Sequence, residues 1–195
     1  QNQSEIDALN ANAFNGDGES IDFHSGAKVG DLKFVDINGD GFISDDDKTY
    51  IGDPIPDFTM GFNLGFNYKN FDFNTSAYAS IGNDMVRDYE RQAAGVNRGP
   101  YMYERWRGEG TSNTVPRASD GSSINNMNFS DFYVEDASYL RIQNVQLGYT
   151  ANESLTSRFG MDSLRMYLSV NNLFTFTNYY GFDPSASSGS PEGSN

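Results

Sequence analysis

The chain has 195 residues, 27 acidic against 13 basic, a net charge of −14 and no cysteine. That balance excludes nucleic acid and anionic membrane surfaces as natural partners, because phosphate binding needs clustered Lys and Arg. The missing thiols exclude disulfides and thiolate metal sites. Aromatic residues reach 14% while hydrophobic residues stop at 37% and mean hydropathy is −0.61, a composition that suits strands joined by long polar loops with little helix.

In chain order, Gln1 is not an initiator methionine and no signal peptide follows it, so the chain is expected to start after processing or to be part of something longer. No apolar run reaches the roughly 18 residues of a transmembrane helix. Residues 1–57 are mostly polar and are expected to form a loop, within which Asp31–Val35 alternates like a strand. Asp36 to Asp47 has the spacing of a calcium-binding loop. Asp36, Asn38 and Asp40 stand at loop positions one, three and five, Gly41 at the sharp turn, and Asp47 at position twelve. A hard cation needs about six to eight oxygens. Asp36, Asn38, Asp40 and Asp47 would give side-chain oxygens and Phe42 its backbone carbonyl, so a structural calcium ion is expected. Asp rather than Glu at position twelve makes the loop more like that of a dockerin than of calmodulin. Asp45 and Asp46 lack the spacing and are expected to be solvated.

Residues 58–68 alternate strictly. Phe58, Met60, Phe62, Leu64, Phe66 and Tyr68 are apolar or aromatic, and the residues between them are small or polar. That pattern predicts a strand. Residues 71–81 repeat the alternation after Lys69-Asn70. If those two residues form a hairpin turn, Tyr68 pairs with Phe71, Phe66 with Phe73 and Phe62 with Ala77, and the apolar sets coincide. Residues 82–137 are expected to form a long loop. Within it Glu135-Asp136 is expected to be a solvated turn. Trp106, with Tyr101, Tyr103, Arg105 and Arg107, is a candidate for stacking on cargo or anchoring a partner; packing of the loop on itself is the plainer account. A third strand is predicted at 139–149, with a phase switch at Gln143-Asn144 that a bulge would explain. A fourth is predicted at 164–177, interrupted by Asn172. The tail beyond Tyr179 is polar again.

Two environments fit such strands. In a soluble sandwich the apolar face packs on a second sheet. In an outer-membrane barrel it faces lipid while the polar face lines a wet lumen. Eleven residues at about 3.3 Å span roughly 36 Å, and a tilt near 45° reduces that to about 25 Å, the height of the apolar band. A very short turn at one end and long loops at the other favour the barrel. A secreted, calcium-stabilised β-sheet module binding carbohydrate or protein is the alternative. No catalytic constellation is present. His24, the single histidine, has no neighbouring acid or nucleophile pattern and is expected to be an ordinary loop residue, so the chain is not expected to be an enzyme.

The run from Gly30 to Gly41, continued through Thr49–Pro54, resembles the C-terminal part of SusC/RagA-type TonB-dependent transporters of Bacteroidetes. So do Phe58–Leu64, Pro116–Ala118, Phe132–Arg141, Val145–Tyr149, Asn171–Thr177 and Gly181–Pro184. The resemblance spans roughly residues 1–185 in the family's order. It implies an all-β fold: antiparallel strands of a large transmembrane outer-membrane barrel, not closed by this chain. It also implies import of oligomeric nutrients, glycans or peptides, with a SusD-like surface lipoprotein as cap and TonB supplying work through parts absent here. The expected division is 1–57, extracellular, holding the calcium-type loop 36–47; 58–81, a transmembrane hairpin; 82–137, extracellular; 138–178, a transmembrane strand pair; and 179–195, extracellular. Four strands cannot enclose a lumen, so transport would belong to the parent protein.

Overall fold

In the computed structural model the described residues are 2–87, 99–118, 126 and 128–186. They fall into two compact units, one built from residues 1–51 and 88–132, the other from 52–87 and 133–195.

The second unit is built on a four-stranded antiparallel sheet. Its strands are β1 (Phe58–Tyr68), β2 (Phe71–Ile81), β5 (Tyr139–Thr150) and β6 (Arg165–Thr177), lying side by side in that order. The hairpin of β1 and β2 has the predicted register: Tyr68 faces Phe71, Phe66 faces Phe73, and Phe62 faces Ala77. Lys69 turns the corner with a positive φ of 53°, as the tight hairpin turns demand.

The predicted bulge is present. Ser76 pairs with Asn144 and Ala77 with Ile142, so Gln143 has no opposite number on β2. On the far side Asn144 pairs with Asn171 and Ile142 with Phe174. Across that interval β2 has no extra residue, β5 has one (Gln143), and β6 has two (Asn172 and Leu173), with Asn172 at a φ of 51°. The single insertion in β5 shifts its phase, so that Leu140 and Ile142 share a face with Val145, Leu147 and Tyr149. The double insertion in β6 restores phase. The outcome is one apolar face running across all four strands. One rung is Phe66, Phe73, Leu147 and Leu168; another is Phe62, Ala77, Ile142 and Phe174.

No second sheet covers that face among the described residues. Phe62, Phe66, Leu147, Leu168 and Phe174 are 48–69% exposed, which is not how one half of a soluble sandwich stands. Beyond the sheet, Gly82 (φ 85°) turns the chain from β2 into β3 (Asp84–Val86), which pairs with β4 (Val134–Asp136). The stretch 82–137 is thus not loop throughout, because its two ends form a ladder. Nor is Glu135 freely solvated: it is partly buried and ion-paired with Arg87 at 2.6 Å. The tie between β5 and β6 includes a short helix, α2 (Glu153–Thr156).

Among its described residues the first unit has one α-helix, α1 (Gln3–Asn10), which composition did not lead us to expect. Asn2 caps it by accepting from the Glu5 N–H at 3.1 Å, satisfying one of the donors a helix start leaves open. The strand expected over Asp31–Val35 is absent. Its backbone is satisfied by side chains instead of a ladder. The Leu32 N–H donates to Asn126 Oδ1 at 2.8 Å, and the Asp31 carboxylate takes Arg117 Nε at 2.7 Å and Asn126 Nδ2 at 3.0 Å. Alternation alone cannot distinguish these cases, because a strand also needs a neighbour to pair with.

Candidate functional site

The polar face of the sheet brings amides and hydroxyls of all four strands together. Its rungs include Asn63, Ser76, Asn144 and Asn171, and Gly65, Asn74, Gln146 and Ser169. Asn144 Nδ2 donates to Asn171 Oδ1 at 2.8 Å and to Ser169 Oγ at 3.0 Å, while Thr75 Oγ1 donates to the Asn144 carbonyl at 2.9 Å. These bonds stitch the three strands together beside the bulge.

Two ion pairs stand at opposite ends of this face. Near the Lys69-Asn70 turn, Arg165 on β6 reaches Asp72 on β2 at 2.6 Å, passing over Gly148 on β5. A Cβ at Gly148 would collide with both partners. The Arg165 guanidinium also lies 5.5 Å from the Tyr167 ring, a cation–π contact.

At the other end, Arg141 uses its whole guanidinium. Nε donates to Thr175 Oγ1 at 2.9 Å, Nη1 to Ser185 Oγ at 2.9 Å, and Nη2 to Asp183 at 2.5 Å. Arg141 holds the Asp183 carboxyl at a pKa of about 2, with help from the Ser185 N–H and hydroxyl. The segment after β6 is thereby drawn back over the polar face. Sequence reasoning missed both clasps. Asp72 and Arg165 could have been matched, since both stand at polar-phase positions of their strands. Arg141 could not, because the bulge hides which face it occupies.

In the first unit, the calcium-type loop curls back on its own start. Asp47 Oδ1 accepts from the Ile37 N–H at 2.8 Å, and its Oδ2 from Ser44 at 2.8 Å. Asp36 accepts from Gly39 and Gly41, Asn38 Oδ1 from the Asp40 N–H, and Asp40 from the Phe42 N–H. The backbone N–H groups of Ser44 and Ile37 hold the Asp47 carboxyl below its usual range. Among the described residues, no three Asp, Glu, His or Cys side chains are gathered as a metal cluster. The oxygen-rich donor set still has the chemistry a hard cation requires. Each ionised carboxylate has about four lone-pair sites; Asp36 accepts two backbone N–H bonds and Asp47 three, which leaves acceptors to turn toward an ion. Asp45 pairs with Lys48 at 2.8 Å on the surface.

The aromatic and guanidinium group around Trp106 does not converge. The Trp106 ring covers Gly30, where any Cβ would strike it, and the Trp106 backbone N–H donates to the Val115 carbonyl at 2.9 Å. Arg105 donates to the Met102 carbonyl and Arg107 to the Tyr103 carbonyl. Tyr101 is half-buried and Tyr103 is 78% exposed. Trp106 thus packs on the 1–57 segment, while the two arginines bond within their own loop. His24 meets Phe34 edge-on at 5.0 Å between ring centroids, and burial lowers its pKa.

No family model matches the chain. It is 39% identical over 155 residues to TonB-dependent receptor P3 of Formosa agariphila, covering 78% of this chain and 15% of that protein. It is 35% identical over 158 residues to TonB-dependent receptor SusC of Bacteroides thetaiotaomicron, covering 80% of this chain and 15% of that protein. The chain therefore spans about one-sixth of the length of the curated relatives it matches. Among solved structures it superposes on the RagAB peptide importer in the "open-open" state with a TM-score of 0.58 at 29% identity, over 74% of this chain and 16% of that one. The RagAB peptide transporter gives 0.59 at 28% identity over the same shares. On these identities, and with a sheet of one apolar and one polar face, the chain belongs to the TonB-dependent receptors of the SusC/RagA type, as a segment of their transmembrane β-barrel.

Proposed function

We propose that the parent protein imports oligomeric nutrients, glycans or peptides, through the outer membrane, with a SusD-like lipoprotein on the surface and TonB supplying work from within. The supporting observation is the two-faced sheet. Its apolar rungs are continuous through the bulge, as lipid contact requires, and its polar rungs are hydrogen-bonded amides and hydroxyls suited to a wet lumen. Transport rather than catalysis is the role of such a wall. The Lys69-Asn70 end is the periplasmic one, since short turns mark that side. Residues 1–57, 82–137 and 179–195 then belong to the extracellular side.

Calcium is part of this proposal as a structural ion. Asp36, Asn38, Asp40, Asp47 and the Phe42 carbonyl would hold it, after their side chains turn from the backbone N–H groups toward the ion. It would stiffen the approach to β1 without touching cargo. Deleting the gene in the host and supplying the full-length receptor back tests the importer reading. Restored accumulation of an oligomer that deletion abolishes supports it. Unchanged uptake of every oligomer without the receptor would refute it.

A further inference from the structure

The turn between β5 and β6 is built as more than a link. The Asn152 carbonyl accepts from the Leu155 and Thr156 N–H groups at 2.9 and 3.2 Å to start α2, and a 3-10 turn over Ser157–Phe159 continues it. Gly160 stops it with a φ of 67°, and the Met161 N–H donates back to the Thr156 carbonyl at 3.1 Å. The neighbouring hairpin turn is tied on as well. Asn70 Nδ2 donates to the Thr150 carbonyl at 2.6 Å and to Asn152 Oδ1 at 2.5 Å, and the Thr150 N–H donates to the Asn70 carbonyl at 2.8 Å.

This fastened turn shows apolar side chains to its surroundings. Leu155 and Phe159 stand four apart, hence on one side of a helical stretch. They are 47% and 71% exposed, and Met161 after them is exposed too. The register tells which side of the wall they adjoin. The last apolar rung at this end is Tyr68, Phe71, Tyr149 and Met166. The Ala151 N–H donates to the Leu164 carbonyl at 2.8 Å, so the ladder runs one pair further. By the two-residue period, Ala151 and Leu164 face as Tyr149 and Met166 do. Met166 stands open on that face, whereas Ala151 is only 8% exposed. The chain therefore closes over the apolar side of the sheet at this point. The polar side there holds the Asp72–Arg165 clasp instead.

We infer that this turn is a membrane-surface anchor, with Leu155, Phe159 and Met161 seated in the lipid boundary at the short-turn end of the wall. The inference rests on the apolar face being the lipid contact of a barrel. Lipid is the occupant because the patch continues that face past its last rung, and exposed apolar clusters mark sites of association. The surrounding side chains suit a membrane–water interface. Tyr68 and Tyr149 belong to the last rung, and tyrosines favour headgroup depth. Lys69 holds its ammonium 5.4 Å from the Tyr68 ring, and Arg158 precedes Phe159. Such long cations lay their stems along apolar surface and keep their charge in water. An anchor of this kind would fix how deep this rim of the wall sits.

Nitroxide labels on single cysteines test it in the full-length receptor, with any other cysteine replaced by alanine. The sites are Leu155→Cys, Phe159→Cys, Ser157→Cys and, on the apolar face, Leu168→Cys. The receptor would be placed in liposomes of phosphatidylethanolamine and phosphatidylglycerol. Collision with oxygen, which concentrates in lipid, would be compared with collision with a water-soluble nickel chelate. Labels at 155 and 159 should shift toward oxygen, as the 168 label does. The 157 label, two residues from each and so on the opposite side of the turn, should favour nickel. Equal nickel collision at 155, 157 and 159, with the 168 label in lipid, would overturn the inference and leave the barrel intact. Protection of 155 and 159 from both reagents would also overturn it, since that marks protein on the patch. A 168 label open to nickel would defeat the barrel reading and this inference with it.

Discussion

Asp72 on β2 and Arg165 on β6 are bonded at 2.6 Å although β5 lies between their strands. Gly148 makes this possible, because the space its side chain would fill is occupied by the two charged groups. Gly148→Ala should break the clasp and lower stability slightly, since a solvent-accessible ion pair contributes little. Gly148→Leu should cost more, since bulk is added as well. Heat-modifiable gel mobility of the full-length barrel measures this, and unchanged mobility for Gly148→Leu would contradict the geometry.

Deleting Gln143 should be tolerated about as well as replacing it. Without the extra residue, Leu140, Ile142, Val145 and Leu147 fall at a regular two-residue spacing, so all keep the apolar face while Asn144 and Ile142 stay opposite Ser76 and Ala77 on β2. Both Gln143→Ala and the deletion should therefore assemble, read as folded receptor in outer-membrane fractions. Loss of the deletion variant alone would show that the bulge itself is required, beyond the phase it corrects.

Calcium should protect residues 31–50 from proteolysis, and Asp36→Ala with Asp40→Ala should abolish the effect. Clustered carboxylates repel one another until a cation neutralises them. Equal cleavage of the unmodified protein in calcium and in chelator would remove the metal from the proposal.

An epitope tag inserted after Asp45 in the full-length parent should bind antibody on intact cells. Labelling that requires permeabilising the outer membrane would reverse the assigned sidedness, and with it the placement of residues 82–137 at the cell surface.

The segment after β6 should loosen in acid. Asp183 has its carboxyl lowered from 3.8 to about 2, chiefly by Arg141. A depressed carboxyl contributes stability that is complete above its unfolded value and is lost as pH falls toward the folded one. Attachment should therefore hold above about pH 4 and fail toward pH 2. A fluorine label on Phe182, which is 97% exposed, would report this as a narrowing resonance in the intact receptor. Asp183→Asn should remove the step, and a flat profile in the unmodified protein would count against the clasp.

Much of the sheet was legible in the sequence because a two-residue period is a strong signal. β1 and β2 fall where alternation placed them, and the phase break at Gln143-Asn144 is a real bulge. The first unit was legible only in part. Asp31–Val35 alternates yet has no strand partner, and its contacts come from Asn126 and Arg117, some ninety residues away. Local pattern holds no information about such side-chain partners. The short α1 was missed for a related reason: its stability rests on a cap and on surroundings more than on helix-forming composition. The clasps of the polar face lay between these extremes, visible as phase for Asp72 and Arg165 but not for Arg141.

The β3–β4 ladder has a consequence for what can change in this protein. The Arg87 N–H donates to the Tyr133 carbonyl at 2.7 Å, and the partly buried Arg87–Glu135 pair closes the same point. The chain leaves and re-enters the barrel wall through a fastened neck. Once a neck is fastened, doubling the length of the stretch beyond it adds only about 0.6 kcal/mol of closure entropy. Changes of length between Arg87 and Tyr133 should therefore leave the β3–β4 ladder in place. What such changes must respect lies within the first unit, where Arg117 and Asn126 hold Asp31 and Leu32.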